Sequence, residues 1–169
     1  CALPICRANR IFVLDEATLA IQKEIPVGNR VWGLALNKDG SRLYTTDGAS
    51  NQVSVIDTVK LAVTQTIRTS PGPVRIALTP DERFAVYGLL DERGVEWIDT
   101  RAGKVAGRVN LPAELGQIVS LHLSHDGRLA YAANENMDIV YTVSIPDGKI
   151  VRSFKVQKGY SPDPVVPKP

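Results

Sequence analysis

QVSVIDTVKLAVTQTIRTSPGPVRIALTPDERFAVYGLLDERG, residues 52–94, decides the reading of this chain because the rest repeats it. Asp57 closes its first apolar run. Asp15 in IFVLDEAT and Asp99 in VEWIDTRA close matching runs 42 residues to either side. The next copy, VYTVSIPDGK, has Ser144 in that place, 45 residues beyond Asp99. Asp39, Asp81 and Asp126 form a second ladder with spacings of 42 and 45, and Ile25, Ile67, Val109 and Phe154 a third with 42, 42 and 45. Self-similarity at one period in three independent ladders marks a repeat architecture. The three additional residues fall between Asp99 and Asp126, and the loop Leu111–Gln117 is where they are expected.

Within a unit the apolar residues form four short runs. In the second full copy these are Val74–Leu78, Phe84–Leu90, Gly94–Thr100 and Lys104–Leu111. Runs of this length, rich in Val, Ile and aromatics and bounded by Gly, Pro and Asp, read as strands. The Asp-Gly pairs at 39–40, 126–127 and 147–148 suit tight turns between them. Four strands every 40–45 residues are expected to fold as propeller blades, each burying its faces against its neighbours. The fold class expected is therefore all-β: a partial β-propeller of about three and a half four-stranded antiparallel blades, half of a seven-bladed ring. An outer half-blade is expected at residues 10–28 and full blades at 30–69, 72–111 and 118–157. Residues 7–165 make up the partial propeller and 166–169 a terminal tail. The link motif Ser70–Val74 (SPGPV) recurs at Ser161–Val165 (SPDPV).

The opening, CALPIC, fits no strand of this scheme, and residues 1–6 are expected to be a non-native leader. Cys1–Ile5 is what TGTGCTCTTCCGATC encodes, the end of a common sequencing adapter. The alternative is the acylated Cys of a mature lipoprotein. Without a reliable cysteine there is no disulfide framework or thiolate metal site to read. A net charge of +2 on 169 residues, with Lys and Arg scattered, gives no reason to expect nucleic acid or a charged membrane surface as partner. No apolar stretch approaches the ~18 residues of a membrane-spanning helix.

The sequence resembles the YVTN-type β-propeller repeat. Tyr131-Ala-Ala-Asn134 and Tyr44-Thr-Thr-Asp47 stand at the naming motif. Leu34–Gly40, Ile76–Glu82 and Leu121–Gly127 stand at the strand and turn usually written ALSPDG. Tyr87-Gly-Leu-Leu90 and Ser144 depart from the pattern. Val27–Asp57 is similar to propellers encoded beside bacterial PQQ-dependent alcohol catabolism genes. That resemblance implies an exported, periplasmic or secreted, non-catalytic binding or scaffold protein working with quinoprotein oxidation systems. No cofactor of its own is evident; haem or PQQ would come only through the full-length protein or a partner. Relatives of the class also imply an alternative, a redox or hydrolytic enzyme subunit of the haem d1, amine dehydrogenase or lactonase type with its chemistry at the channel axis.

Inner strands line the channel of a propeller, and their alternation puts Trp32, Leu34 and Leu36 on a bulky face. Gly33, Ala35, Arg75, Ala77, Ser120 and His122 fall on a small or polar one. Four residues are candidates for binding a protein partner or a small anionic ligand at the channel mouth. Arg30 and Trp32 open an inner strand, and Arg and Trp are enriched at binding hot spots; packing between blades is the plainer role for Trp32. Arg75 could grip a carboxylate or phosphate, or pair with Asp91 or Glu92. His122 replaces Ala35 and Ala77. It reads either as a haem, metal or proton-transfer group or as an ordinary hydrogen-bonded histidine, and a metal needs more ligands than His125 could add. Asp15, Asp57 and Asp99 recur too regularly for catalysis and are expected to accept backbone N–H groups in turns. No catalytic or metal-binding motif is present. An arc with bare end faces is expected to self-associate.

Overall fold

A computed structural model describes residues 2–4, 9–112, 117–134 and 138–156, and every strand pairing among them is antiparallel. The first sheet contains β1 (Ala2–Pro4), β2 (Arg10–Leu14) and β3 (Ile21–Pro26). The second contains β4 (Val31–Leu36), β5 (Arg42–Asp47), β6 (Gln52–Asp57) and β7 (Ala62–Arg68). The third contains β8 (Pro73–Leu78), β9 (Phe84–Leu89), β10 (Gly94–Asp99) and β11 (Lys104–Asn110). The fourth contains β12 (Ile118–Leu123), β13 (Leu129–Asn134), β14 (Ile139–Ser144) and β15 (Ile150–Lys155). Each sheet is a meander in chain order, as the four-run reading requires. The one helical piece among the described residues is a 3-10 turn at Gly48–Ser50.

The opening of the chain departs from expectation. Ala2–Pro4 does form a strand, with Ala2 opposite Val13 as Tyr44 is opposite Val55 in the next sheet. The 42-residue register therefore reaches back to Ala2, and the first sheet has three strands rather than two. The loop assigned the three additional residues is indeed longer, running from β11 to β12. Residues 113–116 within it and the link motif at 161–165 lie outside the described residues.

The aspartate ladders do what their regularity implies. Asp57 Oδ1 accepts the N–H of Val59 and Lys60 at 3.0 and 2.8 Å, and Asp99 Oδ1 those of Arg101 and Ala102 at 3.0 and 2.9 Å. Asp15 does the same for Ala17 and Thr18. At the other turn of each sheet, Asp39, Asp81 and Asp126 accept the N–H of Ser41, Arg83 and Arg128. Backbone N–H groups hold the carboxyls of Asp15, Asp57 and Asp99 below their ordinary range. The hydroxyls of Ser41, Thr79 and Ser124 do so for Asp39, Asp81 and Asp126. A carboxyl whose pKa is depressed by folding contributes stability above its unfolded pKa and loses it as pH falls through the folded one. These six groups should therefore leave stability unchanged from pH 7 to 5 and erode it below about pH 4. Urea midpoints measured from pH 7 to 3 should show that fall, shallower in the Asp57→Asn, Asp99→Asn double variant; a flat profile to pH 3 would contradict the assignment.

The core lies between the sheets. Ile11 and Ile25 of the first meet Val31, Leu43 and Ile56 of the second. Val53, Val55 and Ile67 of the second meet Ile76, Tyr87, Leu89 and Ile98 of the third. Val95 and Trp97 of the third meet Ile118, Leu121 and Val143 of the fourth. Burying one such aliphatic side chain is worth about 1.5–3 kcal/mol, so most stabilisation comes from stacking rather than from any sheet alone. The innermost strands approach closest. A Cβ on Gly33 would lie 2.9 Å from the backbone nitrogen of Ile76, so only glycine fits there. Each outermost strand carries a bulge at the same register, at Gln22, Thr64, Ala106 and Val151.

Polar clasps tie each incoming link to its sheet. Gly28, Ser70 and Pro112 occupy equivalent places in the three links. The Gly28 N–H donates to buried Asp47 at 2.9 Å, and the Ser70 N–H to buried Glu96 at 3.3 Å. Proline has no N–H to give, and there the direction reverses: the Tyr141 hydroxyl donates to the Pro112 carbonyl at 2.5 Å. A second regular contact sits beside each clasp. Asn9, Asn51, Arg93 and Asp138 all have positive φ, and their carbonyls accept the N–H of Val27, Thr69, Leu111 and Val156.

Candidate functional site at the mouth of the inner strands

The inner strands β4, β8 and β12 lie side by side, and each contains a bulge near its start. The bulge leaves one residue without a cross-strand partner: Trp32 in β4, Arg75 in β8 and Val119 in β12. Bulges re-aim side chains and interrupt alternation. The simple two-faced reading is therefore corrected at this end of the strands. Gly33 and Ser120 are buried, whereas Arg75 is exposed and Trp32 and Val119 are half-buried.

Arg30 precedes β4 with φ of 61°, where the equivalent residue before β8 is Gly72 with φ of 72°. Its carbonyl accepts the Gly48 N–H at 2.9 Å. Its guanidinium lies over the Trp32 ring, 4.9 Å from the centroid, a cation–π stack. The indole edge lies on Gly48, where a Cβ would stand 2.7 Å from Trp32 Cδ1 and 3.2 Å from the Pro73 carbonyl of the adjoining sheet. Trp32 thus contributes to the junction between sheets and supports Arg30 at the surface. Arg75 Nε donates to the Val119 carbonyl at 3.2 Å, linking the bulges of two neighbouring inner strands. Of the two acids considered for it, Glu92 is engaged by Arg108. Arg30, Trp32 and Arg75 therefore sit at one end of the inner strands.

His122 stands apart. It pairs with Tyr131 at the register where Ala35 pairs with Tyr44 and Ala77 with Val86, and those alanines pack against the next sheet. It belongs to the outgoing face of the fourth sheet, half-buried, rather than to the mouth. His125 lies in an exposed turn. Among the described residues no group of three or more His, Cys, Asp or Glu side chains is placed to hold a metal. No helix among the described residues is long and apolar enough to cross a membrane.

The residues that sequence reasoning missed are buried and polar. Asp47 accepts from Thr45 Oγ1 at 2.8 Å, Gln52 Nε2 at 2.9 Å and Ser54 Oγ at 2.5 Å as well as from Gly28. The Tyr87 hydroxyl donates to Glu96 at 3.0 Å, and burial, reinforced by that carboxylate, pushes its pKa upward. Ser54, Glu96 and Tyr141 share one register position, so the signal was a polar residue recurring inside an apolar strand. The register also shows that Val86, not Tyr87, is the counterpart of Tyr44 and Tyr131. Clefts at the opposite end of the sheets include one of about 800 Å³ beside Asp57, one of about 690 Å³ beside Asp81 and Asp126, and one of about 280 Å³ beside Asp39 and Asp81. The carboxylates there already serve their own turns.

Four-stranded antiparallel sheets stacked face to face, with their first strands adjacent, make this an all-β chain of β-propeller architecture. Over 82 residues it is 33% identical to the seven-bladed beta-propeller protein Rv1057 of Mycobacterium tuberculosis, a match covering 48% of this chain and 21% of that protein. Its fold is similar to Kuenenia stuttgartiensis hydrazine synthase, with a TM-score of 0.76 and 20% identity over 86% of this chain and 42% of that one. The matches thus span about a fifth of the first relative and less than half of the second. No family model matches the sequence.

Proposed function

We propose that this chain belongs to a non-catalytic propeller of the YVTN type that binds an anionic ligand or an acidic patch of a protein partner at the mouth of its inner strands. The observation that carries the reading is the pair of cations at that mouth. Arg30 is held over Trp32 in a left-handed backbone conformation where the third sheet has Gly72, and Arg75 is turned outward by a bulge. Holding a non-glycine residue in a sparsely populated conformation costs about 1–3 kcal/mol and is concentrated at functional sites. Planar guanidinium groups suit carboxylate or phosphate oxygens. Export, and association with a periplasmic quinoprotein oxidation system, rest on the resemblance of Val27–Asp57 to propellers encoded beside PQQ-dependent catabolism genes.

Trp97 is buried, so a change in tryptophan emission on ligand addition will report on Trp32. Titration with citrate, a polycarboxylate probe, should give a saturable change, and Arg30→Gln or Arg75→Gln should weaken it about tenfold each, within the range for charged hydrogen bonds. No saturable response, or undiminished binding in both variants, would refute the site. In the full-length protein, a haem or quinone spectrum, or lactone turnover lost on His122→Ala, would favour the enzymatic alternative. Co-purification of a quinoprotein dehydrogenase would favour the scaffold.

A further inference from the structure

We infer that the seam between the second and third sheets, at the end opposite the mouth, binds a phosphorylated sugar. Both sheets there have all four strands, and each has a further sheet packed on its other side. Two clefts meet at Ser41 and Arg42. The smaller, of about 280 Å³, also includes Tyr44 and Arg101. The larger, of about 800 Å³, includes Lys60, Thr64 and Gln65.

The carboxylates at this seam are spent on backbone N–H groups. Asp39, Asp57 and Asp81 accept from their own turns, and Glu82 accepts from Lys38. The cations are not matched in the same way. Arg42 and Arg101 make no ion pair or side-chain hydrogen bond among the described residues. Lys60 Nζ, on a side chain 73% exposed, stands 3.4 Å from Asp57. Tyr44 is the observation that points to a ligand. It is 4% exposed and lines the cleft shared by Arg42 and Arg101, yet its hydroxyl has no hydrogen-bond partner among the described residues. A buried tyrosine hydroxyl ordinarily finds one, as Tyr87 does in Glu96 and Tyr141 in Pro112. The repeat supplies its own control. At the next seam Arg42, Tyr44, Lys60 and Thr64 are replaced by Phe84, Val86, Ala102 and Ala106, and Arg101 by Pro146. Stacking of the sheets therefore does not call for this polar set.

Two guanidinium groups and a hydroxyl suit the terminal oxygens of a phosphate monoester. In the larger cleft Thr64 Oγ1 donates to the Val55 carbonyl at 3.2 Å and Gln65 Nε2 to the Gly103 carbonyl at 3.1 Å. The Thr64 oxygen and the Gln65 amide oxygen are left to accept from sugar hydroxyls.

The test is calorimetric titration of the 169-residue chain carrying Arg30→Gln and Arg75→Gln, whose mouth has lost both cations. Glucose 6-phosphate should bind it saturably, and inorganic phosphate about tenfold more weakly, the worth of one or two neutral hydrogen bonds. Adding Arg42→Gln or Arg101→Gln should weaken glucose 6-phosphate about tenfold each, with unchanged circular dichroism. Tyr44→Phe should weaken it about fivefold while leaving the urea midpoint unchanged or raised, because the hydroxyl removed has no partner in the protein. Absence of saturable binding would overturn the inference. So would affinity undiminished in both arginine variants, or inorganic phosphate binding as tightly as the sugar phosphate. A lower urea midpoint in Tyr44→Phe without weaker binding would assign the hydroxyl to the fold, and would equally overturn it.

Discussion

Replacing Asp47 with alanine is expected to cost about 3–5 kcal/mol of stability, because several buried neutral donors lose their common acceptor at once. Its carboxylate is fully buried and accepts four hydrogen bonds, from the Gly28 N–H, the Gln52 amide and the hydroxyls of Thr45 and Ser54. Removal leaves several donors buried without an acceptor, at about 1–3 kcal/mol for each that water cannot reach. Ser54→Ala takes away only one donor and should cost about 1 kcal/mol. Urea unfolding at pH 7 checks both. An Asp47→Ala midpoint no lower than that of Ser54→Ala would mean that the carboxylate does not hold the link.

Trp97→Ala should be of similar size, about 3–5 kcal/mol. Trp97 is 2% exposed, at the junction of the third and fourth sheets, and lies directly opposite Gly107 on the neighbouring strand. A Cβ at Gly107 would fall 2.2 Å from the Trp97 ring, so Gly107→Ala in the parent should also destabilise, by about 1–3 kcal/mol through overpacking. In the Trp97→Ala background the same Gly107→Ala change should be neutral or favourable, because the clash has gone. Residues in contact show such coupling, whereas independent sites add. Additive costs in the double variant would refute the account.

The blade pattern was readable because turn aspartates, inter-sheet aliphatics and strand runs each repeat for a local physical reason. Asp57 and Asp99 must accept turn N–H groups, and Ile67 and Val109 must meet the next sheet. The bulges at Trp32, Arg75 and Val119 were not readable. They depend on how a strand bends against its neighbours, and the one in β8 sits one residue later than those in β4 and β12. Alternation alone therefore placed Trp32 with Leu34 on the bulky face and Arg75 with Gly33 and Ser120 on the small or polar one. Arg30, Trp32 and Arg75 were chosen from residue type and position, and the structure brings them to one end of the inner strands. The clasps were missed because their members change identity from sheet to sheet while keeping their place. The opening residues were misread for a different reason: Ala2–Pro4 carries no strand signature and takes its pairing from β2.

The reversed hydrogen bond at Pro112 limits how the repeats could be shuffled by recombination. If β12–β15 were excised and the strands of the third sheet spliced behind the Pro112 link, Glu96 would confront a carbonyl with no hydrogen between them. The mirror-image graft would aim a tyrosine hydroxyl at the Ser70 N–H, donor against donor unless the hydroxyl turned its lone pair inward. A viable breakpoint must therefore fall upstream of the link, so that the segment inherited whole runs from Ser70 to Leu111 rather than from Pro73 to Asn110.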